Sequence, residues 1–210
     1  MKSIFQGVLL YSGLALAQAQ EGYHEHDGFF LSMNIGPAFG PVLLEASGTS
    51  FRKLEVSGTG GTLDFKIGGT IKKTLTLSFD IVTRGISGPD MEVDGQVSSA
   101  SNSLNASDGL VGLGVTYYIM PVNILLSSTV GMASFTLKDD NSPLDARSES
   151  GFGLQMKAGK EWWVGKNWGL GISGGLGLLR ADDKKDPNNP GYKGELSTKK
   201  FFVMFNTTYN

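Results

Sequence analysis

The residues of this chain that are able to do chemistry fall into two groups, a histidine pair and a set of alternating charges. His24 and His26 flank Glu25 and are the only histidines of the sequence. A His-x-His pair can share one metal ion, whereas a hydrolytic triad needs a histidine beside its nucleophile. Both histidines precede the first strand-like segment, and the chain has 0 Cys. We therefore predict no enzyme activity and no catalytic, cofactor-binding or metal site, and we interpret residues 20–28 as a mobile polar leader.

The second group consists of charged residues that alternate with apolar ones. A tight turn at residues 72–73 sets Lys66 across from Asp80. The same turn leaves Asp64 diagonal to Arg84. Opposite charges at cross-strand positions attract each other, and charges removed from water need partners. We therefore predict a polar network on one face of a sheet, formed by Asp64, Lys66, Asp80, Arg84, Lys157 and Glu161.

The segments that hold these charges have an apolar residue at every second position, which indicates strands and not helices. Eight such segments are present, each of roughly nine to eleven residues, the length that a tilted strand needs to cross a bilayer. They are residues 29–39, 62–71, 74–84, 109–119, 123–137, the two halves of 150–180 around a turn at 165–167, and 200–209.

The connections between the segments alternate strictly between long and short. Long polar connections lie at residues 40–60, 85–107, 138–150 and 181–198, and tight turns lie at 72–73, 120–122 and 165–167. This layout is typical of a closed up-and-down barrel with both termini on the short-turn side.

The chemistry of the two faces distinguishes a soluble barrel from a membrane barrel. A lipocalin-like barrel places its apolar residues inside, but here the face opposite the apolar one combines Gly, Ser and Thr with the six charges. Such a face suits a narrow polar lumen, whereas glycine weakens strands that face water. The sequence therefore predicts an all-β fold, a closed antiparallel eight-stranded up-and-down transmembrane β-barrel.

Aromatic residues on the apolar face support this prediction. Phe29, Tyr117, Trp162, Trp168 and Tyr209 all lie next to a short turn or a terminus. Aromatic girdles mark the membrane interfaces of such barrels, so we predict that these five form an interface ring. We also expect the hairpin around 165–167 to place Trp162 opposite Trp168.

The amino-terminal residues have the pattern of an export signal. Met1-Lys2 supplies a positive start, residues 8–16 a short apolar core, and Ala17-Gln18-Ala19 a small-x-small cleavage pattern. We expect a signal peptide at 1–19, a periplasmic leader at 20–28 and a barrel domain at 29–210. The formal net charge of −2 argues against a nucleic-acid partner.

With these features the chain resembles the small eight-stranded outer-membrane β-barrel proteins of Gram-negative bacteria. The resemblance rests on the signal peptide, the opening strand GFFLSMNIG, the hairpin GKEWWVGKNWGLG and the closing strand FFVMFNTTYN. It implies a location in the outer membrane. It also implies outer-membrane lipid, lipopolysaccharide and the barrel-insertion machinery as partners.

The sequence leaves the role of such a barrel open. One expectation is a non-enzymatic structural or surface-interaction role through the four long extracellular loops, which could bind a surface ligand. The alternative is a narrow channel or transporter for small, including apolar, solutes. A soluble lipocalin-like barrel and a lipid A-modifying enzyme fit the sequence less well.

Overall fold

The computed structural model describes residues 25–48, 52–87, 90–99, 104–139, 145–184 and 191–210. These residues form thirteen strands, eight of them long. The long strands are β1 (Gly28–Phe39), β4 (Thr59–Lys72), β5 (Leu75–Ser87), β8 (Leu104–Ile119), β9 (Ile124–Asp139), β11 (Gly151–Trp163), β12 (Trp168–Asp182) and β13 (Lys193–Tyr209). The short strands are β2 (Val42–Ser47), β3 (Lys53–Ser57), β6 (Asp90–Val93), β7 (Gln96–Ser99) and β10 (Asp145–Arg147). Within these ranges no helix is long and apolar enough to cross a membrane.

The eight long strands close into one antiparallel barrel. Neighbours pair in the order β1–β4–β5–β8–β9–β11–β12–β13. The last strand returns to the first, with pairs from Leu31↔Tyr209 to Phe39↔Phe201. Closure satisfies the backbone donors and acceptors within the wall, which a sheet in lipid requires. The predicted closed eight-stranded barrel is confirmed.

The two ends of the barrel differ in how the strands are connected. At one end, here called the turn end, three connections of two to four residues join β4 to β5, β8 to β9 and β11 to β12. All the long connections lie at the other end, here called the loop end. In barrels of this type short turns face the periplasm and long connections face the exterior. We therefore take the loop end as extracellular.

The long connections are not loops throughout, and this corrects the predicted boundaries. Within 40–60 the chain forms β2 and β3, within 85–107 it forms β6 and β7, and β13 begins seven residues before the predicted start at 200. β2 pairs with the first part of β13, and β3, β6 and β7 follow in turn. Backbone pairing with a neighbour keeps these segments extended, although each has an apolar alternation of at most three positions, too short to mark a strand that crosses a bilayer.

The outer surface of the barrel is apolar, as the alternation predicts. Leu113, Ile35 and Met132 are each more than 60% exposed, and similar side chains from every long strand surround the wall. The alternate residues point inward and are buried. An apolar band around a closed barrel is the surface that hydrocarbon requires.

The tryptophan hairpin has a different register from the expected one. Trp162 pairs with Leu170, and Trp168 lies opposite Val164, whose N–H donates to the Trp168 carbonyl at 2.9 Å. The expectation that Trp162 lies opposite Trp168 is therefore wrong. The connection occupies residues 164–167, so Trp168 is the first residue of its strand and is paired at the turn itself.

The interior changes in character along the barrel axis. Near the turn end, Phe30, Tyr118 and Leu125 form a small apolar cluster. The middle is polar and charged. Toward the loop end lies a larger apolar cluster formed by Val42, Val82, Leu110, Ala133, Phe135, Leu179 and Ala181. The expected polar lumen therefore occupies only the middle of the barrel.

The apolar outer surface predicts how a charge placed on it changes the stability of the barrel. Leu113→Arg places a cation at a lipid-facing position that is 69% exposed, and we expect it to lower the free energy of unfolding by about 2–4 kcal/mol. Urea unfolding in lipid vesicles, followed by tryptophan fluorescence, measures the change.

Val97→Arg is the matched control, because Val97 is 75% exposed but lies in β7, beyond the barrel wall. We expect a change within about 0.5 kcal/mol there. Equal effects of the two substitutions would contradict a lipid-facing belt.

Candidate functional site

The polar middle of the barrel is built around buried ion pairs. Lys66 lies opposite Asp80 on neighbouring strands, and the two side chains form a salt bridge. Thr129 hydrogen-bonds to both, at 3.0 Å from the Lys66 ammonium, and the Ser78 hydroxyl donates to the other Asp80 oxygen at 2.6 Å. Asp80 is thus held from three sides.

A second set of contacts centres on Asp64. The Lys157 ammonium lies 3.0 Å from one carboxylate oxygen of Asp64, and the Lys66 ammonium lies 3.9 Å from the other. The Gln155 amide also donates to Asp64 at 3.1 Å. Asp64 therefore connects the lysines of two strands on opposite sides of the lumen.

The third set lies closest to the loop end. One Arg84 nitrogen donates to Asp108 at 2.8 Å, and another donates to the side-chain oxygen of Gln155. Lys200 forms a salt bridge with the second Asp108 oxygen. Asp64 and Arg84, which were predicted to lie on diagonal positions, are therefore joined through the side-chain amide of Gln155.

All six predicted network residues are buried in the lumen, and the structure brings five of them together. Glu161 lies nearer the turn end, where the Thr208 hydroxyl donates to it at 2.7 Å. Sequence reasoning missed Asp108 and Lys200. Asp108 lies one residue before the predicted strand 109–119, and Lys200 is the first residue of the predicted strand 200–209. Each keeps the inward-facing parity of its strand, a signal that could have assigned both to the network.

Two glycines make room for these charges. A Cβ at Gly114 would lie 2.1 Å from an Asp80 carboxylate oxygen, and a Cβ at Gly177 would lie 2.6 Å from the Arg84 guanidinium. Both distances are far below van der Waals contact. The glycine that looked unusual for a strand therefore provides volume for the charged side chains.

Above Arg84 and Asp108, the loop end contains a small apolar cavity of about 40 Å³. Its walls come from both the barrel and the hairpin that extends beyond it. Polar groups, among them Ser148 and Asp183, occur on the side of the cavity near β10 and the end of β12. The apolar lining residues are Val42, Leu44, Leu54, Val56, Ala106, Phe135, Leu137 and Leu196.

The turn end is closed by the segment before β1. His26 is 1% exposed; its ring stacks on Tyr118 with centroids 3.5 Å apart, and its Nε2–H donates to Asn123 Oδ1 at 2.8 Å. Glu25 forms an ion pair with Lys73 at 2.6 Å. The interpretation of this part of the leader as mobile is wrong, because aromatic stacking and a hydrogen bond fix it in the barrel mouth. His24 and the predicted signal peptide lie outside the described residues.

The five predicted girdle aromatics lie on the outer surface near the turn end. Phe29, Tyr117, Trp162 and Trp168 are exposed, and Tyr209 is partly buried. The Trp168 and Tyr209 rings meet edge to face at 5.2 Å, and those of Phe29 and Tyr209 are 6.4 Å apart. Their role at a membrane interface stays a prediction.

A closed eight-stranded barrel with an apolar exterior and a side-chain-filled lumen has the architecture of a small transmembrane β-barrel. No protein-family model and no curated protein matches the sequence. Solved structures do match the fold. The outer membrane protein AlkL, determined in DMPC lipid bilayers, is 13% identical, with a TM-score of 0.56 over 90% of this chain and 92% of AlkL. OprG from Pseudomonas aeruginosa is 11% identical, with a TM-score of 0.53 over 89% of this chain and 98% of OprG.

These likenesses confirm the expected resemblance at the level of the fold. The identities are too low to carry a function. Cleavage after residue 19 and the insertion machinery as a partner stay predictions.

The buried ion pairs predict that substitution of Asp108 destabilises the protein strongly. Asp108→Asn leaves Arg84 and Lys200 without their shared carboxylate in the lumen, so we expect a loss of about 3–5 kcal/mol of unfolding free energy. Glu195→Gln is the control, because it removes the exposed partner of Arg180. Exposed pairs contribute about 0–1 kcal/mol, and equal losses in the two variants would argue against a sealed lumen.

The buried histidine predicts a pH dependence at the turn end. Burial lowers the pKa of His26 below its ordinary value, and hydrogen bonds to Asn123 and Asn210 oppose the shift only in part. The unfolded chain therefore binds this proton more readily than the folded one. The contribution of the neutral His26 side chain to the free energy of unfolding is complete above about pH 6.5. This contribution is lost as the pH falls through the pKa of His26 in the folded protein.

Urea titrations between pH 7.5 and 5 on wild type and His26→Gln measure this contribution as a difference. We expect the wild type to lose stability relative to the variant as the pH falls, by roughly 1.4 kcal/mol for each unit of pKa shift. A difference that is independent of pH would contradict the burial of a neutral imidazole.

Proposed function

We propose that this protein is a non-enzymatic outer-membrane barrel that captures small apolar molecules at its extracellular end. The observation that carries the proposal is the apolar cavity at the loop end, which sits on a floor of buried ion pairs. Apolar cavities exclude water and accept apolar molecules. The volume of this cavity, about 40 Å³, exceeds the roughly 10–15 Å³ that one water molecule needs on the same measure, so it accommodates one small apolar atom or group.

The arrangement of the lumen supports capture more than conduction. Eight strands leave an interior just wide enough for side chains, and here Arg84, Asp108, Gln155 and Lys200 occupy it below the cavity. A hydrated ion passing this level would have to displace paired charges. A narrow channel is therefore the less favoured alternative.

A surface-interaction role through the long connections is compatible with capture. Strands β2, β3, β6 and β7 extend one side of the barrel outward. The last of them, β7, bears the exposed Val97, and an extended segment of another protein can pair with such an edge.

The proposal includes no catalysis. The one histidine among the described residues, His26, is buried in the turn-end mouth, at the opposite end from the cavity. A histidine-based hydrolytic group is therefore not placed where surface lipid or a captured molecule would meet it.

Methyl NMR of the protein in lipid nanodiscs, titrated with xenon, tests the cavity, because xenon is an apolar probe small enough for it. We expect saturable shifts of the Leu44, Leu54 and Leu196 methyl groups, because these line the cavity. The Leu113 methyl faces lipid and should change only in proportion to the xenon dissolved in the bilayer.

Ala106→Phe fills the cavity and is expected to abolish the saturable shifts, whereas Ala158→Phe, the same change on the outer surface, should leave them intact. Non-saturating shifts at Leu54, or binding by Ala106→Phe equal to wild type, would contradict the proposal. In planar bilayers we expect no conductance steps; regular steps would favour the channel instead.

A further inference from the structure

The segment before β1 is held in the turn-end mouth mainly by one side chain. The imidazole of His26 stacks on the Tyr118 ring with centroids 3.5 Å apart, and the tilted Trp163 ring lies 5.0 Å away. The Nε2–H of His26 donates to Asn123 Oδ1 at 2.8 Å. These contacts require the imidazole to stay in the mouth, and they bring the neighbouring residues of the segment with it.

The segment can leave the mouth at Gly28 without disturbing the barrel. Gly28 has a φ of +71°, in the left-handed region that glycine adopts at little cost, and a Cβ there would meet nothing within 4 Å. The pairing of β1 with β4 begins at this residue. Before it, Glu25 and Lys73 form an exposed ion pair, and such pairs contribute little. Residues 25–27 can therefore move together while β1 stays paired.

The surroundings of the imidazole suit a neutral ring and not a cation. The groups that face it come from four parts of the barrel and are uncharged: Tyr118 of β8, Asn123 of the turn after it, Trp163 of β11 and Asn210 after β13.

The carboxylates near the mouth are engaged elsewhere. Glu161 accepts the Thr208 hydroxyl at 2.7 Å and hydrogen-bonds to Tyr118. Glu25 meets Lys73, and Asp27 is exposed. No ion pair involves His26 among the described residues. An imidazolium in the mouth would therefore be a buried cation without a counter-ion, which is unfavourable.

We propose that residues 25–27 form a pH-dependent latch on the turn end of the barrel. The latch is closed while His26 is neutral. When the imidazole is protonated, the segment turns outward about Gly28, which hydrates the new charge and uncovers the Tyr118 and Trp163 rings. This device lies at the opposite end from the apolar cavity and does not depend on the capture of a ligand.

The direction of the pH dependence follows from the burial of the ring. Burial lowers the pKa of His26 in the closed latch, and hydrogen bonds to Asn123 and Asn210 offset the shift only in part. The released ring has the ordinary pKa of about 6.5. The closed latch is therefore most favoured above about pH 6.5 and is lost as the pH falls toward the lowered pKa. The ratio of open to closed segments rises by up to about tenfold for each pH unit in this window.

NMR of the protein in lipid nanodiscs, with ¹⁵N relaxation and CEST measurements between pH 7.5 and 4.5, tests the latch. We expect the amides of Glu25, His26 and Asp27 to be ordered at pH 7.5. As the pH falls they should exchange with a mobile state, and the ratio of open to closed segments should rise by up to about a hundredfold between pH 6.5 and 4.5. The amide of Leu31 in β1 should stay ordered throughout.

Two variants separate the titration of His26 from other effects of acid. His26→Gln keeps an amide that can donate to Asn123 but does not titrate, so the mobility of residues 25–27 should not depend on pH. Lys73→Gln is the matched control, because it removes a charge from the same mouth and leaves His26 in place. The pH dependence of the latch should persist in this variant.

Four results would overturn the proposal. They are a wild-type segment that stays ordered at pH 4.5, the same pH-dependent mobility in His26→Gln, loss of the pH dependence in Lys73→Gln, and loss of order at Leu31 together with the segment. The last result would mark fraying of β1 and not the opening of a latch.

Discussion

Charge pairing in a lumen too narrow for bulk water is the constraint on which the rest of this structure depends. An unpaired charge in such an interior costs several kcal/mol. Among the described residues the buried charged side chains balance, with Lys66, Arg84, Lys157 and Lys200 against Asp64, Asp80, Asp108 and Glu161. Lumen-facing positions must therefore supply opposite charges, hydrogen-bonding hydroxyl groups and enough space for the charged side chains, each at the correct position of the neighbouring strands. Glycine at positions such as Gly114 and Gly177 follows from the same need for space.

The network divides the barrel into compartments with different physical properties. Toward the turn end, His26 and Tyr118 close the mouth by stacking. Toward the loop end, apolar side chains surround a cavity that begins where the ion pairs end. The barrel is therefore closed at the turn end and contains apolar space at the loop end. A molecule in the cavity has no polar path through the lumen.

The fold was predictable because its signal is repeated in every strand. Alternation at each segment and the sorting of connection lengths point to one closed barrel, and a single error in a boundary does not change the topology. The network was predictable in part for the same reason. Lys66 and Asp80 face each other across the shortest turn, so local register was enough to pair them.

The rest depended on contacts between distant segments. Asp108 and Lys200 are paired across the barrel, 92 residues apart in the chain, and no local pattern links them. The leader was taken as mobile because it is polar, but its order comes from Tyr118 and Asn123, about a hundred residues later. The apolar interior of the loop end is, however, visible in the sequence. Adjacent apolar pairs such as Leu110-Val111 and Leu178-Leu179 break the expected alternation of apolar and polar residues.

Those adjacent apolar pairs explain how one wall can serve two apolar environments. At the middle of the barrel most strands separate lipid from paired charges, so only every second residue is apolar. β13 is the exception, because its inward-facing Phe202 and Met204 pack in a buried apolar cluster with Ala38. At the loop end the same strands separate lipid or headgroups from the cavity, and both faces become apolar: Val111 is exposed while Leu110 is fully buried.

Maintaining a dry cavity against an aqueous exterior requires a floor that does not conduct water. The ion pairs beneath the cavity provide this floor because every charge in them is already bound to another side chain. The polar network and the apolar cavity are thus two parts of one arrangement, in which the first forms the floor of the second.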